Sequence, residues 1–174
     1  MLRRPEPARL RRDLHDDGSP ELNLRRGVVT SSLLGMASMA IVSLYQTGIL
    51  RRLPDPPLES FDSDKVNASD TAYGYGAPDG TITLAAHAVN LALAAAGTAD
   101  RAREQPWLPI LASGLAGAQA AVAAKYLFYQ MPKVERAWCG YCITDALTHL
   151  ATFALTVPEA AKAVAHLRRS RGAA

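Results

Sequence analysis

Between Arg25-Arg26 and Arg51-Arg52 lies a stretch, residues 27–50, without a single charged side chain. As a helix, such a run rises about 36 Å, enough to cross the roughly 30 Å hydrocarbon core of a bilayer. Ser31, Gly35, Ala37 and Ala40 supply small side chains of the kind that let membrane helices approach closely. Three more charge-poor runs follow, at residues 81–97, 108–131 and 143–157. The second is short and alanine-rich and carries His87 and Asn90 on one helical face. Asp100, Arg101, Arg103 and Glu104 make a polar turn, and Trp107 opens the third run, which closes on Tyr126, Phe128 and Tyr129. Aromatics at both ends of an apolar helix mark the two faces of a bilayer, and Lys125 is long enough to reach the interface. The expected fold is all-α: an integral membrane four-helix bundle, with a polar extracytoplasmic loop between the first two helices.

Composition alone would say otherwise. Apolar residues make up 49% and charged residues 20%, with a mean hydropathy of -0.01, which describes a soluble protein. A soluble four-helix bundle is the competing architecture, since alanine drives membrane insertion weakly. The average hides segregation: the first 26 residues hold seven arginines and five acids, and the last seven hold three arginines. Counted by side of a four-span arrangement, Lys and Arg number thirteen against five. Both termini are therefore expected in the cytoplasm. The net charge of +3 does not point to nucleic acid, because the basic residues flank apolar runs and do not interleave with aromatics.

Three regions are expected: a flexible charged tail over 1–24, a four-span domain over 25–167 and a basic tail over 168–174. The first is too long and too acidic for the leading part of a signal peptide. Residues 53–80 form a loop with four prolines, in which Ser63 or Asp64 can cap a short helix over 65–73.

Cys139 and Cys142 are the only cysteines and stand three apart in Trp138-Cys-Gly-Tyr-Cys142, just before the last apolar run. If that run is a helix, Cys142 lies in its first turn and Cys139 at its start, so the sulfurs share one face within bridging reach. Free backbone N–H groups and the helix dipole favour a thiolate there. A redox dithiol is the reading preferred over half of a zinc site, which wants four ligands, and over an inert buried pair. On the four-span count the thiols face the oxidising side. Asp145, Ala146 and His149 share a face with Cys142. Ionisable groups inside a bilayer are costly and usually functional. Asp145 and His149 can therefore relay protons, or pair structurally with Lys125 or Asn90. His87 and Asn90 are further candidates for proton transfer or ligand contact. Tyr73 and Tyr75 are either a lid over the site or interface anchors.

Four spans with C-x-x-C at the outer start of the last one resemble the vitamin K epoxide reductase family in its bacterial form. Ser43-Leu-Tyr45 is similar to the family's S-L-Y element, and Ser63-Asp-Lys-Val-Asn-Ala-Ser69 to its C-D-x-V-x-x-S loop motif. The glycine-containing Tyr73-Gly-Tyr-Gly-Ala-Pro78 follows, and the resemblance runs over residues 28–157. It implies a membrane thiol oxidoreductase passing electrons between a quinone (menaquinone or ubiquinone) and a thioredoxin-like or secreted thiol protein, in the bacterial cytoplasmic membrane. Carried over by position, Cys142 faces the quinone, Cys139 exchanges with the outside thiol, and Ser69 is the serine of the loop motif. No metal is expected. The chain also departs from the pattern. Ser63 stands where one of two loop cysteines would relay electrons, and nothing replaces the other. The aromatic expected one turn after the second cysteine is Ala146. The alternatives are a membrane binding or assembly protein with a structural disulfide, and a metal site built from Cys139, Cys142, Asp145 and His149.

Overall fold

The computed structural model describes residues 6–172. Among them there is no strand. The helices are α1 (Pro7–Asp16), α2 (Pro20–Gln46), α3 (Ser63–Asn67), α4 (Asp79–Ala95), α5 (Arg101–Glu104), α6 (Trp107–Lys125) and α7 (Gly140–Gly172). Beyond Lys125, α6 runs on as a π-helical segment, Tyr126–Glu135.

Three boundaries differ from the sequence reading. Helix α2 begins seven residues before the uncharged run. Ser19 accepts from the Leu22 N–H as its N-cap, and Pro20 occupies the first helical position, where a missing N–H costs nothing. The segment expected to be a tail thus already contains α1 and the first turns of α2. In loop 1 the cap is Asp62, whose side chain accepts from the Lys65 N–H at 2.9 Å, and α3 is correspondingly short. At the other end of the chain Pro158 does not stop α7, which continues to Gly172.

Helix α7 packs against both α2 and α6, α2 packs against α4, and α4 meets α6 to close the bundle. Small residues set the separations. The buried face of α6 includes Ala112, Ala116, Ala120 and Ala123. At Gly117 a Cβ would sit 3.1 Å from the Phe153 ring. At Gly35 it would fall inside the His87 imidazole, so only glycine lets α4 bring that ring against α2.

The two ends of the bundle are built differently. At one, the buried Arg25 guanidinium donates to the carbonyls of Ala94, Ala96, Gly97 and Thr98 at 2.7–3.1 Å, closing the free C-terminus of α4. Beside it Arg101 holds Glu159 through two hydrogen bonds of 2.8 and 2.6 Å. Arg9 pairs with Glu104 and Lys162 with Glu21 at the same end. At the opposite end loop 1 lies on the entry to α7. Asp62 N–H donates to the Trp138 carbonyl and Trp138 N–H to the Ser60 carbonyl. The Tyr141 hydroxyl donates to the Pro54 carbonyl at 3.2 Å.

Two helices, Pro20–Gln46 and Trp107–Glu135, are long and apolar enough to cross a membrane. Helix α4, with 17 residues, spans about 25 Å. The outside of the bundle is apolar on all four long helices: Leu33 and Leu34 on α2, Ile82 and Val89 on α4, Leu111 and Val122 on α6, Leu147 and Phe153 on α7 are exposed.

Candidate functional site

Cys139 caps α7. Its carbonyl accepts from the Ile143 N–H at 2.9 Å, and its sulfur accepts from the Cys142 N–H at 3.1 Å. This is the N-cap arrangement with sulfur in place of oxygen, at the positive end of the helix dipole. The Cys142 thiol donates to the Cys139 sulfur, with the two sulfurs 2.6 Å apart and unbonded. The Cys139 thiol is lowered from its ordinary value near 9 to about 7. The Cys142 thiol is the main cause, helped by hydrogen bonds from the Cys142 N–H and Asn67, while burial opposes the shift. At neutral pH Cys139 is thus substantially thiolate.

Helix α3 supplies the roof. The Asn67 amide nitrogen donates to the Cys139 sulfur at 3.2 Å and to the Ser63 carbonyl at 2.8 Å. Its amide oxygen lies 3.5 Å from the Cys142 sulfur, a second acceptor for the one thiol proton that goes to Cys139. Ser63 is fully buried, and Asp55 accepts its hydroxyl at 2.6 Å and its N–H at 2.7 Å. A serine hydroxyl has one proton to give. With the carboxylate at 2.6 Å, that proton goes to Asp55 in preference to the neighbouring sulfur. Cys139 has no solvent exposure beneath this roof.

Cys142 opens the other way, into a cavity of about 420 Å³ between α2, α4, α6 and α7. That is within the ordinary range for a small-molecule site. Its lining is largely apolar, with Asn67, Asp79, Tyr126, Asp145 and His149 among its polar members. Asp145 gathers two histidines: its Oδ1 lies 2.8 Å from His87 Nε2 and 3.6 Å from His149 Nε2. The imidazoles stack with centroids 4.0 Å apart and planes 13° from parallel.

His87, Asp145 and His149 hold their ligand atoms within 4.8 Å of one another, so a metal must be considered. A metal-bound histidine ordinarily donates its second N–H to an acceptor, yet His87 Nδ1 and His149 Nδ1 are buried without one. The trio fits a hydrogen-bonded acid–imidazole cluster better than a metal centre. The four-ligand set of Cys139, Cys142, Asp145 and His149 is not assembled among the described residues.

The remaining sequence candidates are dispersed. Asn90 donates to Gln119 at 2.6 Å and does not reach the thiols or Asp145. Asp145 and His149 take His87 as their partner in place of Lys125 or Asn90. Ser69 closes a loop turn through the Val66 carbonyl. The Tyr73 hydroxyl donates to the Gln46 carbonyl, and it is Tyr75, not Tyr73, that lines the cavity. Sequence reasoning passed over three contributors. Asn67 carried a signal, since it lies one helical turn after Ser63 in the loop motif. Asp55 carried none. Tyr126 was read as an interface aromatic, whereas Phe128 and Tyr129 are the exposed ones.

No match was found among curated proteins or among solved structures. The sequence profile of the Vitamin K epoxide reductase family matches residues 27–157, which run from within α2 to within α7 and include every residue of the thiol site. The chain therefore belongs to the vitamin K epoxide reductase family, and with it to the membrane-associated redox enzymes.

Proposed function

We propose that this protein is a four-span enzyme of the bacterial cytoplasmic membrane that couples the Cys139/Cys142 pair to a membrane quinone, menaquinone or ubiquinone. A thioredoxin-like or secreted thiol protein is its second substrate. The observation that carries this reading is the asymmetry of the pair. Cys142 lines the ligand-sized cavity, while Cys139 lies outside it beneath loop 1. The balanced reaction is dithiol plus quinone giving disulfide plus quinol: two electrons and two protons leave the sulfurs and arrive on the quinone oxygens. The partner's thiolate attacks Cys139 of the Cys139–Cys142 disulfide and Cys142 leaves as thiolate; a second partner thiol then displaces Cys139, and the regenerated dithiol hands its two electrons to the quinone through Cys142. The His87–Asp145–His149 cluster borders the same cavity and can hold or pass a proton as the quinol forms.

Four apolar helix exteriors support four crossings, although two of the helices fall short by length and composition. The arrangement of the ends supports the orientation. The N-terminal segment, the turn after α4 and the C-terminal part of α7 meet at one end, and loop 1 meets Cys139 at the other. The basic excess falls at the first end, which favours an orientation with the thiols outside.

The test is quinone reduction by the detergent-purified chain, with a reduced thioredoxin-like protein as donor, followed by the fall in quinone absorbance. Cys142→Ser is expected to abolish quinone reduction yet, when offered the partner in its disulfide form, to capture it as a mixed disulfide on Cys139, whose thiolate attacks one partner sulfur and releases the other as a thiolate. Cys139→Ser is expected to lose partner exchange. Equal rates for both variants and the natural chain would leave the thiols as a structural pair and end the enzymatic reading.

A further inference from the structure

Among the residues that line the cavity beside Cys142, one carries a buried hydroxyl without a protein partner. Tyr126 Oη is buried and has no hydrogen-bond partner, and Tyr126 lines the cavity. Buried hydroxyls are ordinarily paired, so an unpaired one beside a ligand-sized space marks where a ligand's acceptor belongs. Several other polar groups at the wall are engaged: Asp79 by Gln46, Gln119 by Asn90, and Asn67 by the Cys139 sulfur.

The surroundings of Tyr126 explain how it comes to face inward. It opens the π-helical segment at the end of α6, and such segments re-aim side chains and recur at functional sites. Phe128 and Tyr129 turn outward, 68% and 56% exposed, while Tyr126 packs on the cluster that holds Cys139, Cys142 and Ala146. Ala146 is buried and has only a methyl group. The ring from α6 therefore fits where a larger residue on α7 would stand.

We propose that the Tyr126 hydroxyl donates a hydrogen bond to a ring carbonyl oxygen of the quinone and so positions the ring against Cys142. This rests on the quinone reading above and adds a positioning residue to it. A phenol in an apolar cavity selects a flat, apolar ligand with an accepting oxygen, which a quinone carbonyl provides.

The experiment compares the full chain in detergent with Tyr126→Phe and Tyr129→Phe, using menadione (2-methyl-1,4-naphthoquinone) as probe. Phenylalanine keeps the ring and its packing and removes only the donor. Infrared difference spectra of the natural chain are expected to show one menadione carbonyl band lowered in frequency by hydrogen bonding. That shift should vanish in Tyr126→Phe and persist in Tyr129→Phe. The dissociation constant should rise about 5- to 10-fold in Tyr126→Phe alone, as loss of one hydrogen bond implies. An unchanged band and affinity in Tyr126→Phe, or an equal loss in Tyr129→Phe, would overturn the assignment of Tyr126 while leaving the quinone reading in place. Failure of the natural chain to bind menadione or any longer-tailed quinone would overturn both.

Discussion

Asn67 faces both sulfurs with opposite ends of one amide: its N–H donates to Cys139, and its carbonyl oxygen lies 3.5 Å from the Cys142 sulfur. An amide so placed distinguishes two chemically identical side chains: it favours thiolate on Cys139 and thiol on Cys142. The sign follows from the lowered value. With its thiol at about 7, Cys139 keeps its negative charge until the pH falls through that value. Removing the donor should move the midpoint upward. A hydrogen bond to a charged group contributes about 1.5–3 kcal/mol, and one pH unit corresponds to about 1.4 kcal/mol. Asn67→Ala is expected to raise the Cys139 midpoint by about one unit, and Asn67→Asp, which adds a negative charge, by more. Thiolate absorbance near 240 nm, titrated in the reduced protein, measures this directly. A midpoint that stays near 7 in both variants would mean that the helix N-terminus and Cys142 suffice without Asn67.

Among the elements, α7 was the most legible. An uninterrupted apolar run behind C-x-x-C dictates a helix starting at the thiols, and Cys139 does cap it. The grouping of Cys142, Asp145 and His149 followed from helical spacing alone. What spacing could not supply was their partner from another helix. His87 reaches Asp145 because Gly35, 52 positions away in the chain, leaves room for its ring. Tyr126 was misplaced because a π-helical turn shifts the register that a 3.6-residue period assumes. At the far end α7 passes through Pro158 to Gly172, as a helix can where the surroundings hold a proline. Loop 1 was legible in outline only. Its position over Cys139 depends on two backbone hydrogen bonds to Trp138 and on the Asp55–Ser63 latch, which no motif announces. That position has a consequence for chemistry: with Cys139 unexposed, partner exchange requires the roof to lift. The loop's placement can be checked by Ser63→Cys in a Cys142→Ser background. The introduced thiol is expected to bridge to Cys139 on mild oxidation, with Cα atoms under about 7 Å apart. Cleavage between α3 and α6 followed by non-reducing electrophoresis should show fragments held together. Fragments that separate after full oxidation would place loop 1 elsewhere.

At the scale of the whole molecule, charge and packing speak independently about orientation. The thirteen-to-five division of Lys and Arg comes from the sequence alone and is the basis for expecting the basic end in the cytoplasm. The packing does not depend on that count. It puts α1, α5 and the C-terminal part of α7 at one end through Arg9–Glu104 and Arg101–Glu159, and loop 1 with the thiols at the other. A buried pair such as Arg101–Glu159 costs several kcal/mol when one partner is removed, so it resists rearrangement of that end. The thiols themselves are poor reporters of sidedness because both are buried. Single cysteines at exposed positions serve better in a chain carrying Cys139→Ser and Cys142→Ser. Leu58 in loop 1 is 57% exposed, and Ser170 is exposed near the end of α7. In intact bacterial cells stripped of any outer membrane, Leu58→Cys is expected to react with a membrane-impermeant maleimide. Ser170→Cys should react only after the membrane is opened. The reverse pattern would put the thiol site in the reducing cytoplasm, where a stable disulfide is disfavoured, and would remove the outside thiol partner. Labelling of both in intact cells would break the four-crossing arrangement, since an even number of crossings between α2 and α7 sets loop 1 and the C-terminus on opposite sides.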